Sequence, residues 1–174
     1  MRYVDVSPVL ERIVASRSVE YSRADREDVR VAELRDVILG IDDHAWEATA
    51  LVQGERRLSY ADFARLVWGF GRALQQDHGF RAGDRLAILA YNCPEWPIAA
   101  FGATSIGGIG VALNGWWQTE ELEYALEDSG SRFLVVDERL YPRVADLIPK
   151  LPALDTLWVE EISNIGCFLR KKLI

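Results

Sequence analysis

Four short apolar runs recur along the chain at a nearly constant interval, and this interval constrains the fold more than any other feature of the sequence. The runs LAILAY, IGVAL, FLVV and LWV begin at Leu86, Ile109, Phe133 and Leu157, so their starts lie 23, 24 and 24 residues apart. A helical pattern separates each pair, and adjacent parallel strands need a crossover of about a dozen residues or more. The sequence therefore predicts an α/β fold with a mostly parallel sheet flanked by helices.

A hairpin and a long helix are predicted ahead of these runs. The segment TALVQGERRLS is typical of two short extended stretches joined by a turn. From Ser59 onward apolar residues recur at steps of three and four, and Ser59 and Asp62 have the spacing of a capping box. Gly69 and Gly71 lower the helix propensity but allow this helix to approach a neighbour closely.

Prolines and a threonine mark the ends of the later helices. Pro94 and Pro97 fit the first turn of a helix that is apolar nearly all round, and such a helix is expected to be buried on more than one side. Thr119 is predicted to cap the next helix. A fourth helix is predicted for ERLYPRVADLIPKL, which has a proline near each end.

Composition and charge exclude several classes of protein. The chain is 49% apolar and 27% charged, as in an ordinary globular protein, and its net charge of -7 leaves no basic face for nucleic acid. No run of about 18 apolar residues occurs, so no transmembrane helix is expected. Cys93 and Cys167 lie far apart, with only His44 and His78 as further histidine or cysteine ligands. This spacing favours free thiols in a cytoplasmic protein over a metal site.

The common nucleotide-binding and hydrolase motifs do not fit. GFGRAL, at residues 69–74, lacks the third glycine of a dinucleotide fingerprint and lies within a predicted helix, while the GGIG at 107–110 precedes a strand. The sequence has neither a GxxxxGK[ST] loop nor a GxSxG nucleophile elbow. His78 comes just before Gly79 at a helix end, which favours a capping role over catalysis. No catalytic, cofactor-binding or metal-ligating residue is therefore assigned.

Three stretches resemble the beginning of the adenylate-forming synthetases, the superfamily of acyl-CoA synthetases, luciferases and peptide-synthetase adenylation domains. They are RRLSYADFARLVWGFGRAL, GFRAGDRLAILAYNCPEWPIAAFGATSIGGIGVALN and ELEYALEDSGSRFLVVD. Their order and spacing agree with the family over about residues 46–161. The form LNGWWQTEELEYAL is most similar to that of bacterial acyl-CoA synthetases acting on fatty or related carboxylic acids.

The resemblance implies an activity and also shows what this sequence lacks. Such an enzyme joins a carboxylic acid to the α-phosphate of ATP, releases pyrophosphate, and transfers the acyl group to coenzyme A, with Mg²⁺ as the metal. This chemistry needs a Ser/Thr/Gly-rich loop with a lysine, an acidic residue for Mg²⁺, a carboxylate for the ribose and a mobile C-terminal lysine. The sequence contains none of these motifs. We therefore expect an inactive N-terminal part of such a synthetase, with no cofactor of its own, and leave open whether the chain is an enzyme.

The expected organisation has three parts. Residues 1–45 form a helical, charged lead-in, 46–161 a partial AMP-binding domain, and 162–174 an atypical tail. Sixteen arginines and one lysine precede residue 161, whereas the last 14 residues hold two lysines and three isoleucines, which favours a disrupted or naturally shortened gene. Two alternatives stay open: a non-catalytic interaction module that docks onto a separately encoded remainder, and a small-ligand-binding α/β module.

Two adjacent tryptophans follow the second predicted parallel strand. Asn114, Trp116 and Trp117 are candidates for a substrate-side or an interface role, because ligand-binding loops follow the carboxyl ends of strands in an open α/β sheet. The tryptophans could instead fill the core. We expect at least one ring to pack against structure that the full enzyme supplies, and we expect self-association where such a face is uncovered.

Overall fold

The computed structural model describes residues 46–154 and 156–160. Its strands are β1 (Thr49–Gln53), β2 (Arg56–Ser59), β3 (Arg85–Leu89), β4 (Ile109–Ala112), β5 (Phe133–Asp137) and β6 (Thr156–Glu160). Its α-helices are α1 (Tyr60–His78), α2 (Glu95–Ser105) and α3 (Thr119–Ser129). The predicted lead-in, the predicted tail and the residues His44 and Cys167 lie outside the described residues.

The four regularly spaced runs form one parallel sheet, as predicted. Its strand order is β4-β3-β5-β6, and all three pairings are parallel. Each strand begins within one residue of the start that the apolar pattern indicates. The central strands β3 and β5 are deeply buried, and helices or turns join every successive pair of strands.

The predicted hairpin is also present and is anchored to the helices. Strands β1 and β2 pair antiparallel, and Gly54 takes the positive φ of 59° that its turn requires. Arg56 of β2 donates a hydrogen bond to the carboxylate of Glu95, which is buried at the start of α2. The hairpin is therefore tied to the layer formed by α1 and α2.

Helix α1 begins and ends as its sequence indicates. Ser59 Oγ accepts a hydrogen bond of 3.1 Å from the backbone N–H of Asp62, which satisfies a donor that the helix itself leaves unpaired. A hydrogen bond from Arg65 lowers the pKa of the Asp62 carboxyl below its usual value. At the other end Gly79, with φ 66°, is the left-handed C-cap that follows His78.

The alternating strand residues divide the core into two layers on opposite faces of the sheet. The first layer contains Leu86, Ile88, Phe133 and Val135 with residues of α1 and α2. The second contains Ala87, Leu89, Leu134 and Val136 with residues of α3 and of the segment that follows β5. The chain's own elements thus cover both faces of β3 and β5, as parallel strands require. No helix in residues 46–154 or 156–160 is long and apolar enough to cross a membrane.

Two glycines bring the backbones of α1 and α2 together. A Cβ atom on Gly71 would lie 2.7 Å from the carbonyl oxygen of Gly102, and a Cβ atom on Gly102 would lie 2.6 Å from the Phe70 ring. A Cβ on Gly69 would meet nothing within 4 Å. The predicted close approach of α1 to a neighbour is therefore made by Gly71 and not by Gly69.

Two sequence predictions about helix ends and helix length are wrong. Gln118, and not Thr119, is the N-cap of α3. The backbone N–H of Gln118 donates a hydrogen bond of 2.8 Å to the carboxylate of Glu121. Thr119 instead donates its hydroxyl to the carbonyl of Arg143. The predicted fourth helix is two short 3₁₀ turns, Tyr141–Arg143 and Ile148–Lys150, because a proline inside each turn removes the N–H that a continuous helix would use.

Candidate functional site at the carboxyl edge of the sheet

Three loops meet at one edge of the parallel sheet. They follow β3, β4 and β5 and consist of residues 90–94, 113–118 and 138–140. Because parallel strands run in one direction, their carboxyl ends lie side by side, and this is where ligands bind in open α/β sheets. The edge also carries the three residues that the sequence singles out, Asn114, Trp116 and Trp117.

The loop after β4 is held by hydrogen bonds in which the side chain of Asn114 accepts and that of Arg143 donates. The side-chain oxygen of Asn114 accepts a hydrogen bond of 2.9 Å from the N–H of Trp116. The backbone carbonyl of Asn114 accepts one of 3.0 Å from the N–H of Trp117. Arg143 donates from Nη1 to the carbonyls of Gly115, at 2.8 Å, and Trp117, at 3.0 Å. Asn114 therefore forms a local turn of the kind that asparagine favours, and Arg143 links this loop to the segment after β5.

The two adjacent tryptophans have different surroundings. Trp117 is half-buried and packs against the second core layer. Trp116 is 77% exposed, and its ring meets the edge of Tyr91 with 6.2 Å between the ring centroids. Filling the core, one of the alternatives from the sequence, thus fits Trp117 and does not fit Trp116.

An arginine extends the aromatic surface around Tyr91. The Arg139 guanidinium lies 4.8 Å from the centroid of the Tyr91 ring. It also donates a hydrogen bond of 2.6 Å to Oδ2 of Asp137, whose carboxylate is buried. Hydrogen bonding to Asp137 raises the pKa of Arg139. Sequence reasoning did not single out Tyr91, Asp137 or Arg139. The sequence signal that could have indicated them is their position at or just after the carboxyl ends of β3 and β5.

Cys93 lies in the loop after β3, beside the start of α2. Burial raises the pKa of its thiol to about 11, and the nearby Glu95 carboxylate acts in the same direction. A thiol in this state is almost fully protonated at neutral pH and is a poor nucleophile. Cys93 is a free cysteine, as the sequence indicates.

The described residues contain no cluster of potential metal ligands and one lysine. No group of three or more histidine, cysteine, aspartate or glutamate residues in 46–154 and 156–160 is arranged to hold a metal ion. Lys150 is the only lysine in these ranges, and it lies in the second 3₁₀ turn. At the carboxyl edge the described residues bring together aromatic rings and an arginine paired with Asp137.

Comparison with known proteins identifies a family model and several enzymes that this chain is similar to. The model described as AMP-binding enzyme matches residues 41–167. The chain is 34% identical over 99 residues to the 3-hydroxybenzoate–CoA ligase of Aromatoleum sp. (strain CIB), a match that covers 55% of this chain and 19% of that enzyme. It is 35% identical over 92 residues to the long-chain-fatty-acid–CoA ligase of Bacillus subtilis (strain 168), covering 53% and 16%. The matched segment spans about a fifth of the length of these curated relatives.

Solved structures of similar proteins have the same architecture. An anthranilate CoA ligase in complex with anthranoyl-AMP superposes with a TM-score of 0.70 at 26% identity, over 74% of this chain and 25% of that one. A benzoate CoA ligase from Burkholderia xenovorans LB400 gives a TM-score of 0.68 at 18% identity, over 74% and 26%, which bears on the fold alone.

Proposed function

The chain belongs to the family of AMP-binding enzymes, and on this premise we propose that it forms the opening part of the N-terminal domain of an AMP-forming acyl-CoA synthetase. The proposed activity of the complete enzyme is the activation of a carboxylic acid with ATP to an acyl-adenylate, followed by transfer of the acyl group to coenzyme A. Because ATP and coenzyme A are the co-substrates, the proposed compartment is the cytoplasm.

The observation that carries this proposal is the family match over residues 41–167. Support comes from the relatives that the chain resembles, which are named as ligases joining an acid to coenzyme A. The shared fold with a ligase that holds an acyl-adenylate points the same way. The matched segment includes all three loops at the carboxyl edge of the sheet.

We propose further that these 174 residues do not adenylate on their own. Positive groups must neutralise the charge that develops on the triphosphate, either backbone donors and lysine or a metal ion. The sequence has no Ser/Thr/Gly-rich loop with a lysine, and the described residues provide no cluster of metal ligands. These observations support the proposed inactivity of the isolated chain.

We propose a carboxylic acid as the substrate and do not assign it to the aromatic or the fatty acids. The identities to a hydroxybenzoate ligase and to a long-chain fatty acid ligase are almost equal, at 34% and 35%, so this segment does not favour one class over the other.

Among the three candidates at the carboxyl edge, we assign the interface role to Trp116. Asn114 is engaged in its turn and Trp117 packs against the chain's own core, whereas Trp116 is 77% exposed.

ATP–pyrophosphate exchange with benzoate, 3-hydroxybenzoate, anthranilate and long-chain fatty acids tests the inactivity of the isolated chain. The expected result is no exchange above a no-protein control with any acid. Exchange that depends on the acid would refute the inactivity while supporting the proposed chemistry.

A chimera tests the family role separately. The segment of the Aromatoleum 3-hydroxybenzoate–CoA ligase that matches this chain is replaced by the corresponding residues of this chain. The control chimera carries the equivalent segment of the Thauera aromatica benzoate–CoA ligase, another of the similar enzymes. We expect ligase activity in both. A folded but inactive chimera, beside an active control, would overturn the proposed role of this segment.

The assignment of Trp116 is tested in the same chimera. Trp116→Ala should reduce ligase activity while leaving the thermal stability of the isolated 174-residue chain unchanged. Trp117→Ala should lower that stability, because it removes a half-buried ring from the second core layer. The assignment fails if Trp116→Ala has no effect on the chimera, or if it destabilises the isolated chain as much as Trp117→Ala does.

A further inference from the structure

Strand β4 is an exposed edge of the sheet in the part of the chain that the structure describes. It pairs with β3 on one side, and no strand within residues 46–154 or 156–160 pairs with its other side. Ile109, Gly110 and Ala112 are exposed, and Ile109 keeps 51% of its accessible surface. Every residue of β5 is buried by contrast. Among β3, β4 and β5, the apolar exposure is thus concentrated along β4.

The backbone of β4 has hydrogen-bonding groups that point outward. The N–H groups of Ile109 and Leu113 donate to the β3 side, at Asp84 and Ile88. In a parallel ladder alternate residues face the same neighbour, so the N–H and C=O groups of Gly110 and Ala112 face away from β3. Such a row of unpaired groups is a template for another strand.

Charge distinguishes β4 from the opposite edge of the sheet. Residues 96–119, which contain β4, include no aspartate, glutamate, lysine or arginine, and no proline follows Pro97 in this range. The sequence around β6 carries Asp155, Glu160 and Glu161. Two copies of a chain with net charge -7 that met at β6 would bring like charges together, which costs free energy. At β4, residues 96–119 would bring no charged side chain.

We propose that β4 pairs antiparallel with β4 of a second copy of this chain, so that two four-stranded sheets become one continuous sheet. The pairing is self-complementary across a two-fold axis through Val111. Gly110 of each copy exchanges both of its outward hydrogen bonds with Ala112 of the other. The side chains at these two positions are small, and a Cβ added at Gly110 has its nearest neighbour, Thr104 Cγ2, at 4.0 Å. This inference goes beyond the proposed function and does not depend on it.

The oligomeric state of the 174-residue chain tests the proposal. Sedimentation equilibrium should give the mass of two chains, and hydrogen exchange should protect the amides of Gly110 and Ala112 more strongly as protein concentration rises. Gly110→Lys places a charge on the edge where the fold has room for a side chain, and should weaken the dimer at least about tenfold.

Two matched variants separate the edge from a general effect of charge or of glycine replacement. Val52→Lys adds the same charge at an exposed position of the hairpin and should leave the dimer intact. Gly110→Ala should also dimerise, because it removes no hydrogen bond and adds no charge. Circular dichroism melting of Gly110→Lys establishes that this variant is folded.

Three results would overturn the inference. One is a monomer at every concentration, with or without protected Gly110 and Ala112 amides; protected amides would mean that another part of the same chain covers β4. The second is a dimer that Gly110→Lys and Val52→Lys weaken equally, which would place the contact elsewhere. The third is an open series of larger species, since a two-fold contact closes after two copies.

Discussion

The two faces of the parallel sheet are covered in different ways. On the first face, α1 and α2 approach until the backbone at Gly71 meets the backbone at Gly102, with no side chain between them. On the second face, α3 and the segment after β5 contribute leucines such as Leu122, Leu126 and Leu147, which are almost fully buried. An added atom thus meets backbone on the first face, and a removed leucine leaves a cavity on the second, although both faces bury one side of the same strands.

Removal of atoms from the second face should have the largest effect. Leu122→Ala should lower the free energy of unfolding by about 3 kcal/mol, because Leu122 is fully buried and a cavity remains where its side chain was. Urea unfolding followed by circular dichroism measures the change. Tyr124→Ala on the same helix is the control, since Tyr124 is 70% exposed and should change stability by less than about 0.5 kcal/mol. Equal losses would mean that α3 is not packed as described.

Addition of one methyl group to the first face should come next. Gly71→Ala should cost about 2 kcal/mol, because its Cβ would lie 2.7 Å from the Gly102 carbonyl oxygen and the two backbones would have to separate. The same substitution elsewhere in a helix is favourable, so the loss is a measure of the close contact. Melting of the variant beside the unmodified chain checks the prediction. A gain in stability would contradict the glycine contact between α1 and α2.

The sequence predicts the elements of both faces better than it predicts their contacts. The strands follow from short apolar runs at a regular interval, and the start of α1 from Ser59, since both signals are local. Which of Gly69 and Gly71 touches a neighbour depends on the rotation of α1 against α2, and no local pattern records that rotation. The strand order likewise depends on how each crossover packs.

At the candidate site, too, the sequence does not predict which side chains make contacts. Trp116 and Trp117 have the same chemistry and adjacent positions, yet one is exposed and the other packs on the core. Their difference arises from a turn made by Asn114 and fixed by Arg143, which lies 26 residues from Trp117. A long-range hydrogen bond of this kind has no signature in a single sequence. The cap of α3 was predicted wrongly for a similar reason. The hydroxyl of Thr119 donates a long-range hydrogen bond to the backbone carbonyl of Arg143, and Gln118 is the N-cap.

The start of α1 gives a smaller effect on the first face. Ser59→Ala should lower the free energy of unfolding by about 1 kcal/mol, because the N–H of Asp62 loses its acceptor. Ser59→Thr keeps an oxygen at the same position and should recover most of this loss. Urea unfolding of the two variants provides the comparison. If Ser59→Thr lost as much as Ser59→Ala, the hydroxyl would not be the source of the stability.

The smallest effect, and the only favourable one, is expected two residues from the close contact. Gly69→Ala should raise the free energy of unfolding by about 0.5–1 kcal/mol, because alanine restricts the unfolded chain and its Cβ meets nothing within 4 Å here. Gly69 and Gly71 lie in one helix and undergo the same change, so helix propensity is common to both variants. The difference between their stabilities therefore isolates the cost of forcing the α1 and α2 backbones apart, on the order of 3 kcal/mol. Thermal and urea unfolding should give opposite signs for the two variants. A gain in both variants would mean that the two helices yield to an added methyl group, and the first face would then be no less adaptable than the second.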